Sequence, residues 1–291
     1  MKVEACLLVA ALAAGVTLSA RAQEMPSSPP KVLQVTVEML KPGKAGAPHD
    51  RTESAFVGAM RRAQFPTHYI ALNSMSGASR ALYLSGYPSF AAWEKDNKTV
   101  ESKPSLEAEL DHAATADGEL LSEVRQLVFT YDEGMSYHPH ADISGARYFE
   151  ITVFQVRPGK GKEWRELARL VKDAHEKGHT SAHWAMFEIA YGAEDATYIA
   201  ISTDKAMEEI DTGFAESKQF VEGLGGEEGM AKFRALVAES VASMRTELFS
   251  VNPRQSYVDE AWIKADPAFW KPKMPMAAKP AKAAEAKPVA P

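Results

Sequence analysis

Apolar and polar side chains alternate along residues 32–40, with Leu33, Val35, Val37 and Met39 on one parity and Gln34, Thr36 and Glu38 on the other. A period of two marks a strand whose faces meet unlike surroundings. The pattern returns at 147–156, where Phe149, Ile151 and Val153 alternate with Glu150 and Thr152. Each strand runs into Pro-Gly-Lys, at 42–44 and 158–160, and then into a helical stripe. Trp164, Leu167, Ala168 and Val171 fall at i, i+3, i+4 and i+7, and Phe56, Ala59, Met60 and Ala63 repeat that spacing. Gly178 is the expected helix stop.

Two further strands are predicted at 67–75 and 80–87, and again at 182–190 and 196–202, with Gly77 and Gly192 in the turns. A longer helical region follows each hairpin. Leu106, Leu110, Ala113 and Leu121 mark it first, and Met230, Phe233, Val237, Val241 and Met244 mark it second. A last strand closes each half, at 126–131 and 246–251.

The halves match in detail. Leu33-Gln34-Val35-Thr36-Val37 and Phe149-Glu150-Ile151-Thr152-Val153 lie 116 residues apart. At an offset of 115, His68-Tyr69 meets His183-Trp184, Gly77 meets Gly192, Ala81 meets Ala196, and Tyr83 meets Tyr198. Ser136-Tyr137 meets Ser256-Tyr257 at 120. An ordered series at nearly constant spacing is the signature of an internal duplication. The expected fold class is α+β, with two ferredoxin-like β-α-β-β-α-β modules. Each such sheet leaves one face open. Two copies can pack those faces together as a pseudo-dimeric α/β barrel. The expected divisions are a signal peptide at 1–22, a linker at 23–31, modules at 32–140 and 141–257, a docked aromatic arm at 258–270, and a Lys/Pro/Ala tail at 271–291.

Over residues 31–257 this order resembles the dimeric α/β-barrel superfamily. That superfamily includes antibiotic-biosynthesis-type and haem-degrading monooxygenases, stress-responsive barrel proteins and chlorite-dismutase-like proteins. The resemblance implies a fold far more than an activity. The Asn, Trp and His set typical of haem-degrading barrels cannot be laid on this chain residue by residue.

Composition sharpens the picture. The chain is 45% hydrophobic and 25% charged, which suits a globular protein. A net charge of −6 gives no basic footprint for nucleic acid. Lys2, the apolar run Cys6 to Val16 and Ala20-Arg21-Ala22 read as a secretory signal with Gln23 as the mature start. Export to the periplasm or beyond follows. The only cysteine, Cys6, leaves with that segment, so no disulfide is expected in the mature body. No later stretch has the length of a membrane span. The tail carries five Lys and one Glu, a charge of +4 that suits a solvated spacer first and contact with anionic envelope polymers or lipid headgroups second. A fused pseudo-dimer already covers its sheet faces, so a monomer is compatible with the fold, and assembly through other surfaces stays open.

Candidate chemistry is sparse, and no cofactor is named by any motif. His175-Glu176-Lys177-Gly178-His179 is formally H-E-x-x-H, with His183 four residues on. Gly178 interrupts it where the helical stripe ends, so His175 reads as a helix-terminal histidine. No metal ligands are assigned on this basis. His68 and His183 open equivalent strands, each before an aromatic, Tyr69 or Trp184. Such a pair could line a cavity as bases or haem ligands, or hold neighbouring loops by hydrogen bonds. If the helices cover the apolar face of each first strand, Glu38 and Glu150 point between the sheets. At strand ends they would instead be solvated. Three functions fit in descending order: a small-molecule-binding or non-catalytic barrel, a cofactor-independent or haem-linked monooxygenase-like enzyme using the space between modules, and a metallohydrolase.

Overall fold

A computed structural model describes residues 28–271. The expected signal peptide and residues 272–291 of the tail lie outside the described residues. The first half runs β1 (Val32–Leu40), α1 (Ala47–Ala63), β2 (Tyr69–Ser74), β3 (Arg80–Tyr87), α2 (Phe90–Glu101), α3 (Pro104–Gly118) and β4 (Leu121–Tyr137). The second runs β5 (Tyr148–Val156), α4 (Gly161–Gly178), β6 (Trp184–Tyr191), β7 (Thr197–Asp204), α5 (Met207–Ala215), α6 (Ser217–Leu224), α7 (Gly226–Ser240) and β8 (Val241–Val251). Two short helices follow, α8 (Glu260–Ala265) and α9 (Pro267–Trp270). Among the described residues no helix is long and apolar enough to cross a membrane.

Eight antiparallel strands close into a barrel in the order β1-β3-β2-β8-β5-β7-β6-β4. The halves join at two seams. At one, Leu72 of β2 pairs with Val251 of β8; at the other, Tyr131 of β4 pairs with Phe187 of β6. Closure leaves no sheet edge exposed.

The alternation predicted for β1 and β5 is present, but its faces are the reverse of the expected ones. Leu33, Val35 and Val37 point into the barrel with Phe149, Ile151, Phe187, Ile199 and Phe249, forming one apolar core. Glu38 faces outward beneath the helices, and Gln34 and Thr36 bond Gln126 on the outer surface. The barrel interior gathers inward side chains of all eight strands into one apolar cluster, so the more apolar parity belongs there.

The last strands also differ from expectation. Val241 and Met244 belong to β8, not to the preceding helix, and Leu121 begins β4. Helical spacing and strand alternation overlap over these few residues. Pairing along the whole of β1 and β5, as in Leu40↔Leu121 and Val156↔Val241, decides for strand. β4 likewise runs on to Tyr137, past the predicted end at 131.

Equivalent serines perform one task in both halves. Ser136 Oγ accepts the Met186 amide at 2.8 Å and donates to the Asp132 carbonyl. Ser256 Oγ accepts the Ala71 amide at 2.9 Å and donates to the Asn252 carbonyl. Gly77 and Gly192 both adopt positive φ, 71° and 97°, in their hairpin turns. A side chain at Gly192 would strike the Gln126 carbonyl.

The arm after β8 packs against the barrel. Ile263 and Trp270 are buried in the central core cluster. Arg147 bonds Asp266 at 2.5 Å and lies 3.7 Å from the Phe269 ring centre, tying the arm to the residue that leads into β5.

Candidate functional site

The barrel interior is polar at one end and open at the other. At the end of β1 near Met39, Arg80 and Glu247 form a buried ion pair. At the end near Leu33 lies a cavity of about 830 Å³. Its floor is apolar and drawn from both halves: Leu33, Ile70 and Leu84 from one, Phe149, Phe187 and Ile201 from the other. Its rim carries His68, His140, His183, Thr203, Asp259 and Trp262. An apolar floor with a few converging polar groups is how small-molecule sites are built.

The sequence-derived candidates separate here. His68 and His183 both line the cavity, and Tyr69 borders it. Tyr69's ring packs on Tyr83 and Tyr257. Trp184 does not line it. Its parity on β6 is the outward one, its Nε1 donates to the Met135 carbonyl at 2.9 Å, and its ring meets Tyr137. Glu38 and Glu150 are also absent from the cavity, because the outward parity of their strands carries them to the helix side.

The equivalent histidines are used differently. His183 Nδ1 lies 3.1 Å from the Ser181 carbonyl, and Nε2 lies against the Thr203 backbone, 3.0 Å from its carbonyl. Its ring stacks on His140 at 4.0 Å, and His140 Nδ1 reaches Thr203 Oγ1 at 3.2 Å. The His68 ring packs at a tilt against Tyr257, with ring centres 4.8 Å apart. Among the described residues its ring makes no hydrogen bond, so its nitrogens are available to a ligand. The H-E-x-x-H string forms no ligand pair on one helix. Helix α4 stops at Gly178, and His179 caps it in the left-handed region. His175 bonds Thr180, and Glu176 accepts from Tyr137.

A second constellation lies outside the barrel wall. Glu38 of β1, His49 and Glu53 of α1, and Asp117 of α3 converge in a buried space. His49 Nε2 is 3.1 Å from Glu38, 3.5 Å from Asp117 and 4.0 Å from Glu53. Burial, with Glu38 and Asp117 alongside, holds the Glu53 carboxyl well above the usual range. Burial, then the neighbouring Glu53 and Glu38 carboxyls, push the Tyr83 hydroxyl up as well. Sequence reasoning missed this group. Its one local signal is the i,i+4 spacing of His49 and Glu53, which places both on one helix face.

No family model matches the chain, and no curated protein matches its sequence. Among solved structures, an anthrone oxidase-like protein superposes with a TM-score of 0.50 at 11% identity, covering 79% of this chain and 94% of that one. The fold is that of the dimeric α/β barrels. A mutant chlorite dismutase from Candidatus Nitrospira defluvii gives a TM-score of 0.46 at 10% identity, covering 81% of this chain and 96% of that one. A haem-binding protein from Thermus thermophilus gives 0.44 at 12% identity, covering 82% and 95%. At such identities the likeness concerns the fold alone.

Within this dimeric α/β barrel the free rim histidine has a pH consequence. Burial lowers the His68 pKa from 6.5, against the opposing pull of Asp259 and Glu260. The unfolded chain therefore takes up this proton at higher pH than the folded protein. The stability His68 contributes is present above about pH 6.5 and is lost as pH falls from there through the folded value. His68→Gln should remove that part of the dependence. Urea melts at about pH 7 and about pH 5 are expected to show a larger acid loss in the parent than in the variant. Equal losses would show that His68 does not titrate in this way.

Proposed function

We propose that this protein is an exported barrel that binds a small, largely apolar molecule between two duplicated ferredoxin-like modules. The cavity carries this reading, because its floor joins inward-facing side chains of both halves and its rim presents an unengaged imidazole. Strand orders β4-β1-β3-β2 and β8-β5-β7-β6 support two equivalent modules, as do the matched Ser136 and Ser256 contacts. Export rests on the N-terminal charge, apolar run and Ala-x-Ala site. Binding is favoured over catalysis because His183 and His140 are engaged in holding Thr203, leaving His68 as the polar contact for a ligand.

A haem-linked oxygenase is the second reading, and the observation favouring it is that same His68 imidazole. It is the side chain that would hold the iron, and a bound haem would supply oxygen chemistry in the cavity. One titration series addresses both readings. Anilinonaphthalene sulfonate should bind with one site per chain and fluoresce, and Ala185→Trp, which fills the cavity from β6, should abolish the signal. Dye binding that survives Ala185→Trp would overturn the cavity as the binding site. Haemin should give a Soret shift dependent on His68 only if the second reading holds; its absence removes that reading and leaves the first.

A further inference from the structure

We propose that Glu38, His49, Glu53 and Asp117 hold a divalent first-row transition-metal ion between the barrel wall and helices α1 and α3. This site is separate from the cavity and lies on the opposite face of β1. The four residues are 8%, 1%, 3% and 2% exposed, so none is a solvated surface acid. One ligand atom from each lies within 4.8 Å of all the others. Ligands about 2.1 Å from a shared ion stand about 3.0 Å apart at right angles and about 4.2 Å apart across it. The observed 3.1, 3.5 and 4.0 Å from His49 Nε2 fall in that range.

The group lacks a cation. Among the described residues, no lysine or arginine forms an ion pair with its three carboxyls; His49 alone does. Buried carboxyls at this spacing need a cation or shared protons. Glu53 Oε1 is buried and has no hydrogen-bond partner, and the same holds for the neighbouring Tyr83 hydroxyl. Tyr83 stands outside the acidic group, and the effect of Glu53 on its hydroxyl shows that this buried polar side chain is aimed into the same space.

The second half shows that the fold does not require polarity here. By the offsets of the duplication, Phe154, Trp164, Ala168 and Val237 replace Glu38, His49, Glu53 and Asp117. They belong to a packed apolar cluster, with Phe154 and Trp164 rings 5.0 Å apart. Tyr198, the counterpart of Tyr83, sits 5.3 Å from Trp164 in the same layer. One imidazole with three carboxylates suits Mn²⁺, Fe²⁺ or Zn²⁺ better than all-oxygen Ca²⁺ or Mg²⁺ sites. The Gln255 amide nitrogen lies 3.2 Å from His49 Nδ1; ligation through Nε2 puts the imidazole proton on Nδ1 and would turn the Gln255 amide to present its oxygen, which is buried without a partner.

The test is metal uptake by the full protein after chelator treatment and desalting. Mn²⁺ followed by electron paramagnetic resonance should disappear from solution at one ion per chain, and Zn²⁺ should compete for the same site. Added Mn²⁺ should raise the melting temperature, and Mg²⁺ should raise it less. Glu53→Gln keeps the volume and removes a charge; it should weaken Mn²⁺ binding by about tenfold or more. A variant carrying the second half's layer, Glu38→Phe, His49→Trp, Glu53→Ala and Asp117→Val, should fold and bind no ion. Failure of the metal-free parent to take up either Mn²⁺ or Zn²⁺ overturns the proposal, and the carboxyls then share protons instead. Undiminished binding by folded Glu53→Gln or by the four-residue variant overturns it equally.

Discussion

Phe249→Ala is expected to lower the stability of the barrel by about 3–5 kcal/mol. Phe249 is 1% exposed and lies on β8, directly across the ladder from the equally buried Phe149. On its other side β8 pairs with β2, so the ring sits at a seam between the halves. Closed strands on both sides restrict collapse into the space left behind, which places the cost well above simple transfer. Against a total of about 5–15 kcal/mol, this is a large fraction. Urea melts should show a lower midpoint with an unchanged slope. The exposed Met244, on the same strand, should tolerate alanine within about 0.5 kcal/mol. A Phe249→Ala loss under about 1 kcal/mol would mean that the interior is loosely packed.

Glu247→Leu should be comparably damaging, for an electrostatic reason. Arg80 of β3 and Glu247 of β8 are paired inside the barrel end, with side chains 10% and 7% exposed. The Arg80 guanidinium also lies 5.3 Å from the Phe249 ring centre. Removing the carboxylate leaves a buried cation unpaired, which costs about 3–5 kcal/mol. Arg80→Met should cost less, because Arg245 still reaches Glu247 at 3.0 Å from the solvent side. The double variant Arg80→Met with Glu247→Leu should recover most of the loss, since apolar side chains of similar size need no partner. A double-mutant cycle by denaturant melts measures this. Simple additivity of the two losses would show that the pair is not coupled.

The strands were legible because alternation is a local property of the chain. Val35 and Thr36 announce opposite faces without reference to anything distant. The duplication was legible for the same kind of reason, since its offsets are read along one line. It also placed the cavity between the halves and carried His68 and His183 to it. The direction of the faces was not legible. A period of two states that two faces differ, and both faces of this sheet are covered, one by the other half and one by helices. Assigning the apolar parity to the helices sent Glu38 and Glu150 to the wrong compartment, and Trp184, a candidate through its place beside His183, takes the opposite face of β6 from the cavity.

The chain by itself therefore determined the element order, the repeat and the sparse imidazole chemistry of the rim, because each depends on spacing between near neighbours or on matching copies. Tertiary structure alone decided the rest. The Glu38, His49, Glu53 and Asp117 group draws on β1, α1 and α3, spread over residues 38 to 117. Only closure of the barrel and packing of two helices against its wall bring those ligand atoms within 4.8 Å. His68 and His183 occupy equal places in the sequence. Their different surroundings, Tyr257 for one and the Thr203 backbone for the other, arise from contacts that no local pattern encodes.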